Sequence, residues 1–350
     1  MLRVGIAGIG FMGWIHWLAY QRVKDCRVVA ICTRDPRKRS GDWTGIRGNF
    51  GPPGEKVDLS GVRAYAELSE LLADQEVDLV DICLPPYLHE AAAVESVRSG
   101  KHVFVEKPLG LNADQCRRIV QAAEASQRLV LVGHVLPFFP EYAYARQAIQ
   151  QGTYGKLLGG NFKRIISEPE WLPDFFDPNR IGGPLIDLHV HDAHWIRFLF
   201  GMPQAVASQG RCRGEVVEYC TSLFYYHEGN YAVSSVCGVI RQQGRPFTHG
   251  FEIHCERATL QYEFAVIDGK PRMLIPLTVY HADGRTEEPA LGSGDPVDAF
   301  VAEVTEVRDA VASGQPSQLL GGDLARDAII LCQCQSDSVR QQKIVTVPAG

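Results

Sequence analysis

The chain lacks a Cys-x-x-Cys pair, an internal repeat, a low-complexity tract and any apolar run near the roughly 18 residues that a membrane span requires. It also lacks an excess of positive charge, since 35 Lys and Arg face 41 Asp and Glu for a net charge of −6. A nucleic-acid binder and a polybasic membrane protein are therefore not expected. The ten cysteines, scattered from Cys26 to Cys334, read as reduced and mostly buried thiols. Met1 to Met12 is apolar, but three glycines interrupt it and no small-residue cleavage site closes it, so the expected location is the cytoplasm.

What is present is an ordinary globular composition, 45% hydrophobic and 22% charged, in a chain of 350 residues that is long enough for two domains. Leu2 to Ala7 is a short β-rich run followed by Gly8-Ile9-Gly10-Phe11-Met12-Gly13 and then by a helical pattern from Trp14 to Gln21. Further strands are predicted at 27–32, 79–84, 102–106 and 129–132, with helices at 65–73, 89–99 and 113–125. This alternation predicts an α/β N-terminal Rossmann domain, a doubly wound parallel sheet, over residues 1–133. From 134 to 350 the strands expected at 156–166, 205–213, 219–226, 231–240, 251–255 and 273–280 imply an α+β domain. Its large open sheet should be mostly antiparallel, with helices at 298–313 and 324–341 and turns at Glu228-Gly229-Asn230 and Ala282-Asp283-Gly284. The Gly- and Pro-rich stretch between Ser40 and Gly61 reads as an ordered functional loop or a mobile flap.

In Gly8-x-Gly10-x-x-Gly13 the first glycine permits a tight turn, the second lets backbone approach a pyrophosphate, and the third allows helix to pack on strand. The helix start at Phe11, Met12 and Gly13 then offers amides to phosphate. About 20 residues on, where an NAD site carries an acid, this chain has Thr33 followed by Arg34. A threonine hydroxyl and a guanidinium suit a 2′-phosphate, so NADP is favoured over NAD. The alternative has Arg37, Lys38 and Arg39 as a solvated helix start with Asp35 on the ribose, and that arrangement fits NAD.

Three further segments, taken with the glycine loop, resemble the glucose-fructose oxidoreductase, inositol dehydrogenase and MocA (Gfo/Idh/MocA) family. They are Cys83-Leu84-Pro85-Pro86-Tyr87-Leu88-His89, Gly100-Lys101-His102-Val103-Phe104-Val105-Glu106-Lys107-Pro108 and Gly182-Gly183-Pro184-Leu185-Ile186-Asp187-Leu188-His189-Val190-His191-Asp192. The resemblance implies a cofactor cleft that includes Leu84, Pro85, His89, Glu106 and Lys107, and a cis Lys107–Pro108 peptide. It also implies catalysis by Lys107 and His191 with Asp187 beside the histidine. Two departures stand out: His189 replaces the family's common glycine, and His194 replaces a frequent acidic residue.

The chemistry fits those residue types. Removing a hydride from an alcohol carbon requires the hydroxyl proton to leave, so a base and a cation are needed at one oxygen. His191 suits the proton and Lys107 the developing charge, while Asp187, four residues before His191, would share its face of a helix over 185–200. His189, His191, Asp192 and His194 supply metal-type donors, but residues two apart on a helix diverge, so no metal is expected. His134, Pro137 to Tyr142 and Trp171 to Asp177 are candidates for a cleft wall or for packing. The expected activity is an NAD(P)-dependent dehydrogenase or reductase acting on CH-OH groups of a sugar, cyclitol or related polyol. A redox-neutral glycoside-cleaving or epimerising enzyme and a non-catalytic nucleotide sensor stand as alternatives. The expected partners are a small-molecule substrate and further copies of the chain, as a homodimer or homotetramer.

Overall fold

The computed structural model describes residues 1–227, 230–292 and 294–348. Of the expected hairpin link, Glu228 and Gly229 lie outside the described residues. The chain forms two compact units. The first comprises Met1–Gly110, Asp114–Phe139 and a later stretch that runs through Val297–Ser313 to Arg326. The second comprises Leu111–Ala113, Pro140–Gly292 and the chain from Asp327 onward.

In the first unit β1 (Leu2–Ala7), α1 (Phe11–Tyr20), β2 (Cys26–Cys32), α2 (Pro36–Arg39), β3 (Arg63–Tyr65), α3 (Leu68–Ala73), β4 (Leu79–Ile82), α4 (His89–Arg98), β5 (His102–Glu106), α5 (Ala113–Ser126) and β6 (Val130–Gly133) follow in order. The strands form one sheet in the order β3-β2-β1-β4-β5-β6, parallel at every pairing. The strand cores read as unbroken apolar runs because both faces are covered: Val4, Ile6, Leu79, Ile82, Val103 and Val105 are fully buried. Residues 41–58, open between two readings in the sequence, form an ordered loop. Trp43 is completely buried, meets the Trp14 and Trp17 rings edge-on and donates its indole N–H to the Lys38 carbonyl at 2.8 Å.

The second unit contains α6 (Pro140–Gln150), β7 (Leu157–Ser167), a π-helical turn at Leu185–His189, α7 (Val190–Phe200) and the strands β8 (Ala205–Arg213), β9 (Val216–Tyr225), β10 (Ala232–Ile240), β11 (Phe247–Cys255), β12 (Ala258–Ile267), β13 (Lys270–His281) and β14 (Thr286–Glu287). After α8 (Val297–Ser313) and α9 (Gly322–Gln341) the chain adds the edge strand β15 (Val345–Thr346). The nine strands lie in the order β14-β13-β12-β11-β7-β10-β9-β8-β15. Every pairing is antiparallel except β7 with β10. On the sheet face under α9, Gln335 donates to the Ser222 hydroxyl at 2.8 Å, which itself contacts the Ser208 hydroxyl at 2.6 Å.

The first compact unit runs on past residue 133 to Phe139 and takes back a later stretch of the chain. α8 returns to the first unit because its buried stripe, Val297, Phe300, Val304 and Val307, packs against that unit's helices and sheet, chiefly α1. Phe300 stacks on Phe50 of the ordered loop, with ring centres 5.5 Å apart. Replacing Trp43 by Ala is expected to cost about 3–5 kcal/mol of stability by the general cost of emptying a buried indole site. Urea unfolding measures this, and a loss below about 1 kcal/mol would contradict the loop's structural role.

Candidate active site

The end of β1 carries close backbone packing. Gly8 has φ +101, and a Cβ there would lie 2.5 Å from the Cys83 carbonyl oxygen. A Cβ at Gly13 would lie 2.2 Å from the Gly8 carbonyl oxygen, whereas one at Gly10 meets nothing within 4 Å. The closed positions let α1 start directly against the sheet, and the open one faces the space before the helix. No side chain caps that helix, whose N-cap is Gly10, so its first amides are available to an anion. Lys38 donates from Nζ to the Ile9 carbonyl at 2.6 Å, placing an ammonium on the glycine loop itself. Asp35 has its carboxylate on the Arg37 amide at 2.9 Å as the N-cap of α2, while Thr33 is half-buried and Arg34 is exposed beside Glu67.

Strand ends supply the next residues. Glu106 is the buried last residue of β5, Lys107 follows it half-buried, and the Lys107–Pro108 peptide is cis. Leu84 and Pro85 follow β4. His89, fully buried at the start of α4, sets Nδ1 2.7 Å from the Pro108 carbonyl and Nε2 2.7 Å from the Leu84 carbonyl. Burial lowers its pKa against the pull of those two acceptors. Both ring nitrogens face backbone carbonyls, which places His89 between the two turns. Beneath these turns His16 of α1 contacts Asp81 Oδ2 through Nδ1 at 2.8 Å and Glu106 Oε1 through Nε2 at 3.0 Å.

The second unit holds the other predicted residues. Asp187 falls in the π-helical turn and His191 in the first turn of α7, both half-buried. A continuous α-helix over 185–200 was the expectation. The chain instead opens with a wider turn, a feature common at functional sites. Asp192 is buried with its carboxylate bidentate on Arg164 of β7, at 2.8 and 3.0 Å. Burial opposes that negative charge, but the Arg164 guanidinium and the nearby His189 ring hold the Asp192 carboxyl below the ordinary range. His189 is also buried, with Nδ1 3.6 Å from Asp192 and Nε2 3.4 Å from the Ser235 hydroxyl. Its place in the core explains how a histidine occupies a position where glycine is common in the resembled family. Phe175 is core, packed with Ile166 and Val239, whereas Trp171 is exposed.

Residues 2–134 match the family model described as an oxidoreductase family with an NAD-binding Rossmann fold, and residues 142–261 match the GFO/IDH/MocA C-terminal domain. The chain belongs to the Gfo/Idh/MocA family. It is 27% identical over 201 residues to myo-inositol 2-dehydrogenase of Thermotoga maritima, covering 57% of this chain and 55% of that protein. It is also 27% identical over 213 residues to 2,7-anhydro-N-acetylneuraminate hydratase of Escherichia coli, covering 60% and 53%. The chain thus spans about half the length of the curated relatives it matches. Levoglucosan dehydrogenase in complex with NADH and levoglucosan superposes with a TM-score of 0.78 at 19% identity, covering 99% of this chain and 100% of that one. At that identity the likeness establishes the fold.

As a Gfo/Idh/MocA member the chain gathers Gly8, Gly10, Phe11, Met12, Gly13, Thr33, Arg34, Leu84, Pro85, Glu106 and Lys107 onto the strand-end side of its first unit, where ligands sit in open α/β sheets. His16 and Arg164 escaped the sequence reading. A histidine on a mostly apolar helix and an arginine within an apolar strand were the available signals.

The family's C-terminal sheet also carries His249, buried and stacked on Tyr142, whose hydroxyl lies 3.1 Å from its Nδ1. Burial, then the nearby Arg164 charge, pushes its pKa down to about 3. The folded ring stays neutral while the unfolded one takes a proton near 6.5, so this contribution is complete above 6.5 and is lost as pH falls toward 3. His249→Phe is expected to flatten the stability profile over that window by up to about 1.4 kcal/mol per pH unit. An unchanged slope in denaturant titrations would contradict the assignment.

Proposed function

We propose that this protein is an NAD(P)-dependent oxidoreductase that transfers a hydride between nicotinamide and a secondary alcohol or ketone of a sugar, cyclitol or related polyol. The observation that carries the reading is the pairing, in one sheet, of an open phosphate cradle at Gly10 with Glu106-Lys107-Pro108 at the end of β5. The residues present fit a dinucleotide: uncapped α1 amides and the Lys38 ammonium suit phosphates, and the ends of β4 and β5 suit the nicotinamide end. The bound nicotinamide supplies the hydride acceptor or donor. Lys107 hydrogen-bonds the reacting oxygen through Nζ and stabilises negative charge there, His191 takes or returns the hydroxyl proton on an imidazole nitrogen, and Asp187 orients that ring.

NADP is the favoured cofactor. Lys38 adds a fixed cation to Thr33 and Arg34, and Asp35, the acid that would suit an unphosphorylated ribose, is engaged as a helix cap. One observation favours a redox-neutral variant, the similarity to a relative named as a hydratase. Nucleotide retained through purification and released on denaturation would mark that case. The intact Lys107, Asp187 and His191 count against a nucleotide sensor without turnover.

Lys107→Ala and His191→Ala are each expected to lower turnover on a responsive polyol by about 10²-fold or more, a larger effect than either has on nucleotide affinity. Retained turnover in either would remove that residue's assigned role. Lys38→Ala should weaken NADPH by about tenfold and NADH by less, read by nicotinamide fluorescence. Equal losses would contradict a phosphate-reading lysine.

The reading extends to self-association, because β9 and β13 expose Leu223, Tyr225, Met273, Leu274 and Tyr280. The native mass is expected at two or four times 38.7 kDa. A monomer at micromolar concentration would refute it.

A further inference from the structure

Three carboxyl groups and one imidazole meet in the interior of the first unit, beneath the strand ends. His16 lies three residues after Gly13 on α1, with no exposed surface. Its two ring nitrogens face two different carboxylates, Asp81 of β4 and Glu106 of β5, at 2.8 and 3.0 Å. A carboxylate only accepts, so two such contacts require a proton on each nitrogen, and the ring is an imidazolium. Burial opposes this charge, but the Asp81 carboxylate outweighs it and holds the ring's pKa well above the ordinary histidine range. The imidazole stacks on Phe104 of β5 at 5.1 Å, and the Cys83 thiol is 3.4 Å from Nδ1.

The fourth member is Glu303 of α8. It is fully buried, and both its carboxyl oxygens are without a hydrogen-bond partner in the structure. Burial, reinforced by Glu106, pushes its pKa well up. Between the two carboxyl groups of Glu106 and Glu303, it is Glu106 that the His16 ring contacts, through Nε2 at 3.0 Å.

The position of Glu106 gives this arrangement a consequence. It ends β5 opposite Gly133 of β6, where a Cβ would come 2.9 Å from Glu106 Oε1. The missing side chain is what makes room for the carboxylate. One ring therefore joins the helix that begins at the glycine loop to the strand end that presents Lys107. We propose that His16 is a positioning residue: by holding Glu106 through Nε2 it fixes the end of β5 and with it the direction of Lys107. The proposal rests on the hydride-transfer reading only for its kinetic test.

Two substitutions separate the two arms of the ring. His16→Gln keeps an amide donor near the place of Nε2 and so keeps the hold on Glu106. His16→Asn keeps one near the place of Nδ1 and so keeps Asp81 alone. The Asn variant is expected to lose about 100-fold in kcat, the scale of an ångström misplacement of a reacting group, and the Gln variant to stay within about tenfold of the wild type. Affinity for NADPH should remain within about threefold in both, since the glycine loop is untouched. A merely structural histidine predicts equal losses that follow the melting temperature, and that result would overturn the proposal.

Should His16→Asn fail to fold, Asp81→Asn serves in its place. It leaves the Glu106 arm intact and is expected to keep turnover within about tenfold, whereas a 100-fold loss would count against the proposal. Crystal structures of the Asn and Gln variants supply a readout free of substrate. Glu106 and the Lys107 Nζ should be displaced in the first and in place in the second, and an unmoved Lys107 in the Asn variant would overturn the assignment. A wild type that turns over no polyol would fail the hydride reading while leaving the structural comparison to judge His16.

Discussion

A Cβ at Gly13 would sit 2.2 Å from the Gly8 carbonyl oxygen, and one at Gly8 would sit 2.5 Å from that of Cys83, so the turn out of β1 tolerates no side chain at either place. Contact that close brings α1 down onto the ends of β1 and β4. From it follow the aim of the helix amides, the nearness of Lys38 to the loop and the reach of His16 to β4 and β5. Gly10 is the complementary case, where the absent side chain leaves space for a ligand instead of for the protein's own backbone.

Both units place charge in their interiors, and each does so with a pair that leaves little freedom. In the first, an imidazolium lies between two carboxylates; in the second, Arg164 grips Asp192 through two parallel hydrogen bonds. Such pairs cost desolvation that their attraction only partly offsets, so their value lies in geometry more than in stability. Each stands next to proposed chemistry: Glu106 precedes Lys107, and Asp192 follows His191. Misplacing either neighbour would cost rate before it cost the fold.

The parallel sheet was legible because strands buried on both faces leave continuous apolar runs, and β5 and β8 fall at the predicted bounds. The short β3 was hidden by an adjoining helical pattern, and α6 by the prolines and aromatic residues around its start. β12 had a usable signal, the alternation of buried Ala258, Leu260 and Tyr262 with more exposed neighbours, which the reading did not take up. The return of α8 to the first unit was not legible, because an amphipathic stripe states that a face is buried and not against what. For the same reason His16 and Arg164 could not be paired with partners 65, 90 and 28 residues away. The Gly-x-Gly-x-x-Gly and Glu-Lys-Pro segments were readable because their spacing is local.

The most direct measurement is a crystal structure of the protein with NADPH bound. The account predicts the pyrophosphate against the amides that follow Gly10, the 2′-phosphate near Lys38 and Thr33, and the nicotinamide ring beside Glu106 and Lys107. A dinucleotide bound away from the glycine loop, or a nicotinamide turned from Lys107, would contradict it.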